Sequence, residues 1–215
     1  MHADTHVFDV DISRSDELTR AEIEGRRQVR AIMDVVRKYG PRDNQIGLVD
    51  LASHIGARES HRIEAAYRLT GDDLLHGRRF DDAIANGSYR ADIHHSDGPG
   101  ITFRYLDGTE VVIPGRGKQK QVRRWREETG ENPTFYQVPY RCLVPRGVDN
   151  LLAAGRILDA DSVAFSGVRV MVNMNQTGEA AGVAAWLALD TGGTSDSVDT
   201  VKLRKILADG GSIVI

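Results

Sequence analysis

A helical run near the C-terminus constrains the chain most. From about Val170 to Leu189 the apolar sequence carries Gly178 and Gly182 four residues apart, a spacing that puts both on one helix face. Ala181 and Ala185 widen the same smooth stripe. Glycine inside a helix costs up to about 1 kcal/mol against alanine, so a pair of them needs a steric reason. No bulky side chain rises from such a stripe, so another backbone or a flat ligand can come very close. The helix N-terminus adds unpaired N–H groups and a partial positive charge, suited to an anionic or electron-rich edge. Spacing alone leaves two readings open: tight packing of the helix on a sheet, or a ligand-facing surface.

The flanking segments read as follows. Leu151–Ala154 is apolar on both faces, as in a short buried strand, and ends in Gly155-Arg156. Tyr136–Val144 is a strand interrupted by Pro139, which places it at an edge or a bend. Gly192-Gly193 closes the long helix, and Thr200–Ala208 forms a last helix with Asp199 as its cap and Gly210-Gly211 after it. Near the other end, Thr19-Arg-Ala-Glu22 has the capping-box form. Val29, Ile32, Met33 and Val36 then follow amphipathic spacing up to the stop at Gly40-Pro41. The arginines of that helix read as a solvated face.

The middle of the chain is rich in strand signals. Gly47–Ile55, Arg62–Leu69 and Tyr89–His94 read as strands. Thr70-Gly-Asp-Asp73 opens short helical pieces around Leu74–His76 and Phe80–Ile84, and Asn86-Gly87 and Asp97–Gly100 are turn signals. Ile101–Tyr105 and Glu110–Ile113 form a hairpin about Asp107-Gly108. Gly115–Gly130 reads as a charged connection. The expected fold class is α+β.

Composition narrows the function. With 28 Lys and Arg against 31 Asp and Glu the net charge is −3, so the chain as a whole has no strong pull toward nucleic acid or an anionic membrane. Arg116, Lys118, Lys120, Arg123, Arg124 and Arg126 form a basic run around Trp125, but Glu127, Glu128 and Glu131 dilute it at once. The run therefore reads as a solvated connection, not a nucleic-acid site. The single cysteine, Cys142, can build neither an intrachain disulfide nor a multi-cysteine metal centre. No metal site is expected. A cytoplasmic setting is the expectation, since the first residues do not have the form of a secretory signal. The most apolar run, Val183–Leu189, is too short to cross a bilayer. Ser166 lacks the first glycine of a Gly-x-Ser-x-Gly elbow, so hydrolase chemistry finds no support.

Three motifs in order carry a family resemblance: Pro139-Tyr-Arg-Cys-Leu-Val-Pro145, Val148-Asp-Asn-Leu-Leu-Ala-Ala-Gly-Arg156, and Arg169-Val-Met171 with Thr177-Gly-Glu-Ala-Ala-Gly182. They resemble the C-terminal part of FAD-dependent oxidoreductases with a glutathione-reductase-like fold. Ile55–Ser60, Leu69–Leu75, Gly77–Phe80 and Asp92–His94 resemble the substrate-side lobe of the same group. The resemblance implies a substrate lobe over residues 1–135 and the C-terminal part of an FAD-binding domain over 136–215. It implies hydride transfer from a small organic substrate to FAD. Gly155, Arg156, Arg169, Val170, Met171, Thr177 and Gly178 would be the cofactor-side residues. Related flavoproteins often place an acid after this glycine, whereas here it is Arg156, suited to a phosphate.

The Gly-x-Gly-x-x-Gly turn that holds the ADP half of FAD does not occur in these residues. Gly98-Pro-Gly100 has no third glycine, and Gly115-Arg-Gly117 opens no βαβ unit. The expectation is a truncated product, a fragment or a split subunit. It would bind FAD weakly or not at all alone, and would need an N-terminal dinucleotide-binding segment or subunit, or a homo-oligomer. The competing expectation is a cofactor-free binding module. On the substrate side, His94 is a candidate general base or a hydrogen-bonded structural histidine. Arg58 would hold a substrate carboxylate or pair with Glu59. Arg141 would face the flavin or the lobe interface. Cys142 reads as a packed, inert thiol.

Overall fold

The computed structural model describes residues 5–40, 46–96, 98–115 and 117–215. His2, Pro41, Asp97 and Arg116 lie outside the described residues. The chain divides into two compact units, Met1–His61 and Arg62–Ile215.

The first unit is built on α1, Ser15–Tyr39. Asp16 and Glu17 in its first turn and Arg37 and Lys38 in its last suit the helix dipole. The helix begins one turn before the capping box expected at Thr19. Thr19 donates instead to the carbonyl of Ser15 within the helix (2.8 Å). Val29, Ile32, Met33 and Val36 are half-buried, as their spacing predicts. The Glu22 carboxylate accepts the Ile55 N–H at 2.7 Å. Gly47–Ile55 is not a strand: it forms no regular structure and bends at Ser53 and His54, with Val49 99% exposed. An apolar run becomes a strand only when another strand satisfies its backbone, and among the described residues of this unit none does.

The second unit mixes helices and antiparallel sheet, which is an α+β arrangement. A two-stranded sheet pairs β1 (Ala83–Gly87) with β6 (Tyr136–Pro139). A four-stranded meander runs β2 (Ala91–His94), β3 (Gly100–Arg104), β4 (Thr109–Pro114) and β5 (Gln121–Arg124). The helices are α2 (Gly71–Leu75), α3 (Ser162–Val168), α4 (Met171–Thr191) and α5 (Thr200–Asp209), with a 3-10 turn at Tyr140–Leu143.

Local chemistry sets most of these boundaries. Thr70 and Asp73 cap α2 reciprocally, at 3.1 and 3.0 Å. Tyr67 donates its hydroxyl to Asp73 at 2.8 Å, and burial with this bond pushes the phenol up to about 12. Asp161 caps α3 through the Ala164 N–H and also accepts the Gly71 N–H, which locks α2 to α3. Asp199 caps α5, and Gly192, in the left-handed region, closes α4.

Four readings change. Phe80–Ile84 is not helical, because Ala83, Ile84 and Ala85 are buried on both faces and enter β1. Asn86-Gly87 is strand, not turn: Gly87 lies opposite Tyr136, and a Cβ there would come within 2.5 Å of the tyrosine ring. Arg62–Leu69 makes only isolated bridges, Ala65 to Pro145 and Leu69 to Ala160. Its backbone bonds scatter over Ile157, Val144, Arg141 and Asp159, so the segment threads between loops. The basic connection contains β5. Arg123 pairs with Glu110, Arg124 donates to the Asp107 carbonyl and Arg126 to the Leu106 carbonyl, so these arginines hold the meander together.

Glu110 is the buried acid of that meander. Burial raises its carboxyl, but Arg104 (2.7 Å) and Arg123 outweigh this and hold it below the ordinary range. A depressed carboxyl stabilises the fold fully above its unfolded titration range, and that stability is lost as pH falls through the folded value. Glu110→Gln should therefore cost on the order of 2 kcal/mol at neutral pH and flatten the acid limb of a urea-stability profile. Gly87→Val should cost about 1–3 kcal/mol by overpacking against Tyr136, measured by urea unfolding.

Candidate functional site

The site grows from the segment before α3 and from α4. Leu151–Ala154 is not a buried strand. It has no regular structure, with Leu151 48% exposed, and Ala153 donates to the Leu143 carbonyl (2.9 Å). Leu143 belongs to the 3-10 turn, which offers one acceptor and no ladder. Likewise only Tyr136–Pro139 of the expected Tyr136–Val144 strand is strand.

At the end of this segment Gly155 turns into the left-handed region, φ +83°, where glycine has no steric penalty. Its N–H donates to Thr177 Oγ1 at 3.1 Å, and the same hydroxyl donates to the Met174 carbonyl at 2.7 Å. Two residues far apart in sequence, Gly155 and Thr177, are thereby fixed to each other. Arg156 follows on the exposed side of the turn.

The rotation of α4 is set by its buried residues Asn173, Thr177, Ala180, Ala184 and Leu187. The opposite face carries Met171, Asn175, Gly178, Gly182, Ala185 and Leu189, all exposed. Ala181 belongs partly to the core instead. No neighbouring atom lies within 4 Å of where a Cβ would stand at Gly155, Gly178 or Gly182. Of the two readings of the glycines, tight packing within this chain is thus not realised: the stripe opens outward. Its apolar surroundings are conspicuously bare, with Met171 78% and Leu189 83% exposed. Val170 starts α4 without a side-chain cap, so the first turn keeps the donors that a helix start offers an electron-rich group. This open, small-residue cradle beside an uncapped helix start fits a flat ligand.

The remaining candidates fall in separate places. Arg169 turns inward to Asp92, donating to its carbonyl at 3.2 Å and lying 3.7 Å from its carboxylate. His94 Nε2 lies 3.1 Å from the same carboxylate. Asp92 therefore gathers His94 and Arg169, which the sequence assigns to different tasks. Arg141 is held by Asp82 through Nε (2.9 Å) and a terminal nitrogen (3.2 Å), and this pairing raises its pKa further. Its guanidinium also lies over Tyr67. Arg141 and Asp82 line a cavity of about 460 Å³ with Tyr140 and Asp196. Arg58 lies in the other unit, on an exposed stretch outside helix and strand. Cys142 is fully buried, and burial pushes its thiol up, as expected of an inert sulfur.

Sequence reasoning missed Asp82, the acid that orients Arg141, and the hold of Asp92 on Arg169, although Asp92 and His94 fall on one strand face by alternation. It also missed Arg90, which lies among three aromatic rings. The alternation of Phe103 and Tyr105 on one strand face was the available signal. Among the described residues no helix is long and apolar enough to cross a membrane, and no group of three His, Cys, Asp or Glu is placed to hold a metal ion.

A family model described as FAD dependent oxidoreductase matches residues 1–207 of the chain. No curated protein and no solved structure matches it.

Because the space beside Gly178 and Gly182 is open, alanine there gains helix propensity at no steric cost. Gly178→Ala and Gly182→Ala should each stabilise the free chain by about 0.5–1 kcal/mol in urea unfolding. Destabilisation by either would restore the packing reading.

Proposed function

The chain belongs to the FAD dependent oxidoreductases, and we propose that it carries the substrate lobe and the C-terminal flavin-side surface of such an enzyme. When bound, FAD supplies the acceptor for a hydride from a small organic substrate. The observation that carries this reading is the outward glycine face of α4, joined to Gly155 through Thr177.

In this reading Gly155 and Gly178 give the cofactor room, and Val170 and Met171 present the α4 N-terminus to an electron-rich edge. Thr177 fixes the Gly155 turn. Arg156, exposed on that turn, suits a phosphate. Arg169 acts by holding the start of α4 against Asp92, a positioning role. His94, oriented by the same carboxylate, is the candidate base for a substrate proton. Arg141, braced by Asp82, and Arg58 are the candidate substrate-side cations. A glutathione-reductase-like FAD domain would be completed by a dinucleotide-binding segment or subunit, or by a second copy of the chain, since residues 1–215 hold no Gly-x-Gly-x-x-Gly turn.

A cofactor-free binding module is the second reading, favoured by that missing turn. FAD titration followed by flavin absorbance separates the two. The wild-type chain should give saturable, weak binding, and Gly178→Phe should abolish it while the circular dichroism and melting temperature hold. Position 178 has open space around it, so loss of binding reports the ligand and not the fold. No FAD signal from wild type, with or without an added dinucleotide-binding partner, supports the module. Equal FAD occupancy in Gly178→Phe overturns the placement on α4.

A further inference from the structure

Arg90 sits where an arginine has unusual company. Its guanidinium carbon lies 4.1 Å from the ring centre of Phe103, 5.1 Å from Tyr89 and 5.6 Å from Tyr105. Its Nε is buried and has no hydrogen-bond partner. With Tyr89 and Tyr105 it lines a cavity of about 360 Å³, whose other walls include Ser88, Val172, Asn173 and Gln176. No carboxylate lines this cavity. Asp92, the acid on the Tyr89 hydroxyl at 3.4 Å, is already engaged by Arg169 and His94. Two other arginines of this unit that line or border its interior are braced by acids: Arg104 has Glu110 and Arg169 has Asp92.

Stacked aromatic rings attract the face of a guanidinium but do not satisfy its in-plane N–H groups. A cation half out of water and lacking an anion is costly, and an oxyanion in the plane of the fork removes that cost. The cavity adds only one positive charge, and its remaining walls are neutral, so a monoanion balances it. The apolar surfaces of Tyr105 and Val172 suit a carbon body attached to that anion. We propose that this cavity binds a small organic monocarboxylate, with its carboxylate on Arg90 and its carbon skeleton against Tyr105 and Val172. The site makes no use of the flavin reading, and it can be tested without FAD.

Benzoate is the probe, with benzamide as its neutral counterpart and inorganic phosphate as the alternative oxyanion, each titrated calorimetrically into the full chain. Benzoate should bind one to one, and benzamide about tenfold or more weakly, because the charge-assisted fork is lost. Arg90→Met should abolish benzoate binding and Arg90→Lys should weaken it. Should Arg90→Met fail to fold, Ser88→Asp on the exposed rim tests the same point: an internal carboxylate should depress benzoate binding and leave benzamide unchanged. Benzoate binding no tighter than benzamide, unaltered benzoate binding in a folded Arg90→Met or in Ser88→Asp, or phosphate binding as tightly as benzoate would overturn the assignment.

Discussion

The buried hydroxyl of Tyr136 holds the second unit in register. It donates to the Gly167 carbonyl near the end of α3 and accepts from Asn173 in the first turn of α4, both at 2.9 Å. Its ring packs on Gly87 of the paired strand. One side chain thus fixes a strand pair, the end of one helix and the start of the next. Burial pushes the phenol up, which favours its neutral form as both donor and acceptor. Leaving any of these polar atoms unmade would cost about 1–3 kcal/mol. Asn173 and Thr177 then lie on the buried side of α4, and the glycines have no choice but to face outward.

Charge is placed by the same economy. Asp82, Asp92 and Glu110 are inward-facing acids, and each draws in one or two basic side chains, some from distant parts of the sequence: Arg141 on Asp82 and Arg169 on Asp92. Salt bridges of this half-buried kind order geometry more than they add stability. At Asp92 the result is a histidine and an arginine held on one carboxylate, beside the junction from which α4 departs. Arg90 stands among three rings and away from these acids, and its surroundings read as recognition rather than bracing.

The sequence was most legible where chemistry is local. The ends of α4 and α5, the reciprocal cap at Thr70 and the Asp107-Gly108 hairpin are all written in residues within a turn of each other. It was least legible where pairing is distant. β1 finds β6 some fifty residues away, so Ala83–Ala85 shows no period by itself and looks helical. Leu151–Ala154 misleads in the opposite direction: its apolar run has the composition of a buried strand but no strand beside it among the described residues. At the candidate site Gly178 and Gly182 announced themselves by spacing, and Thr177 came with the family resemblance. Asp92 beside His94 was legible from strand alternation, but Asp82 behind Arg141 and the reach of Asp92 to Arg169 were not, because such long-range partners are chosen by the fold and leave no trace in the sequence around them.

Cys142 gives this architecture a built-in clock. Its sulfur is sealed within the 3-10 turn that connects β6 to the core, and its thiol is held protonated by burial. A thiolate-seeking reagent can reach it only when that turn swings open. With reclosure fast, the rate of covalent tagging equals the intrinsic reaction rate multiplied by the open fraction, and its logarithm is a direct free-energy gauge of that opening. The chain therefore carries a single-site reporter of its own breathing at the joint between strand pair and helices, with no label to introduce and no second thiol to confuse the reading.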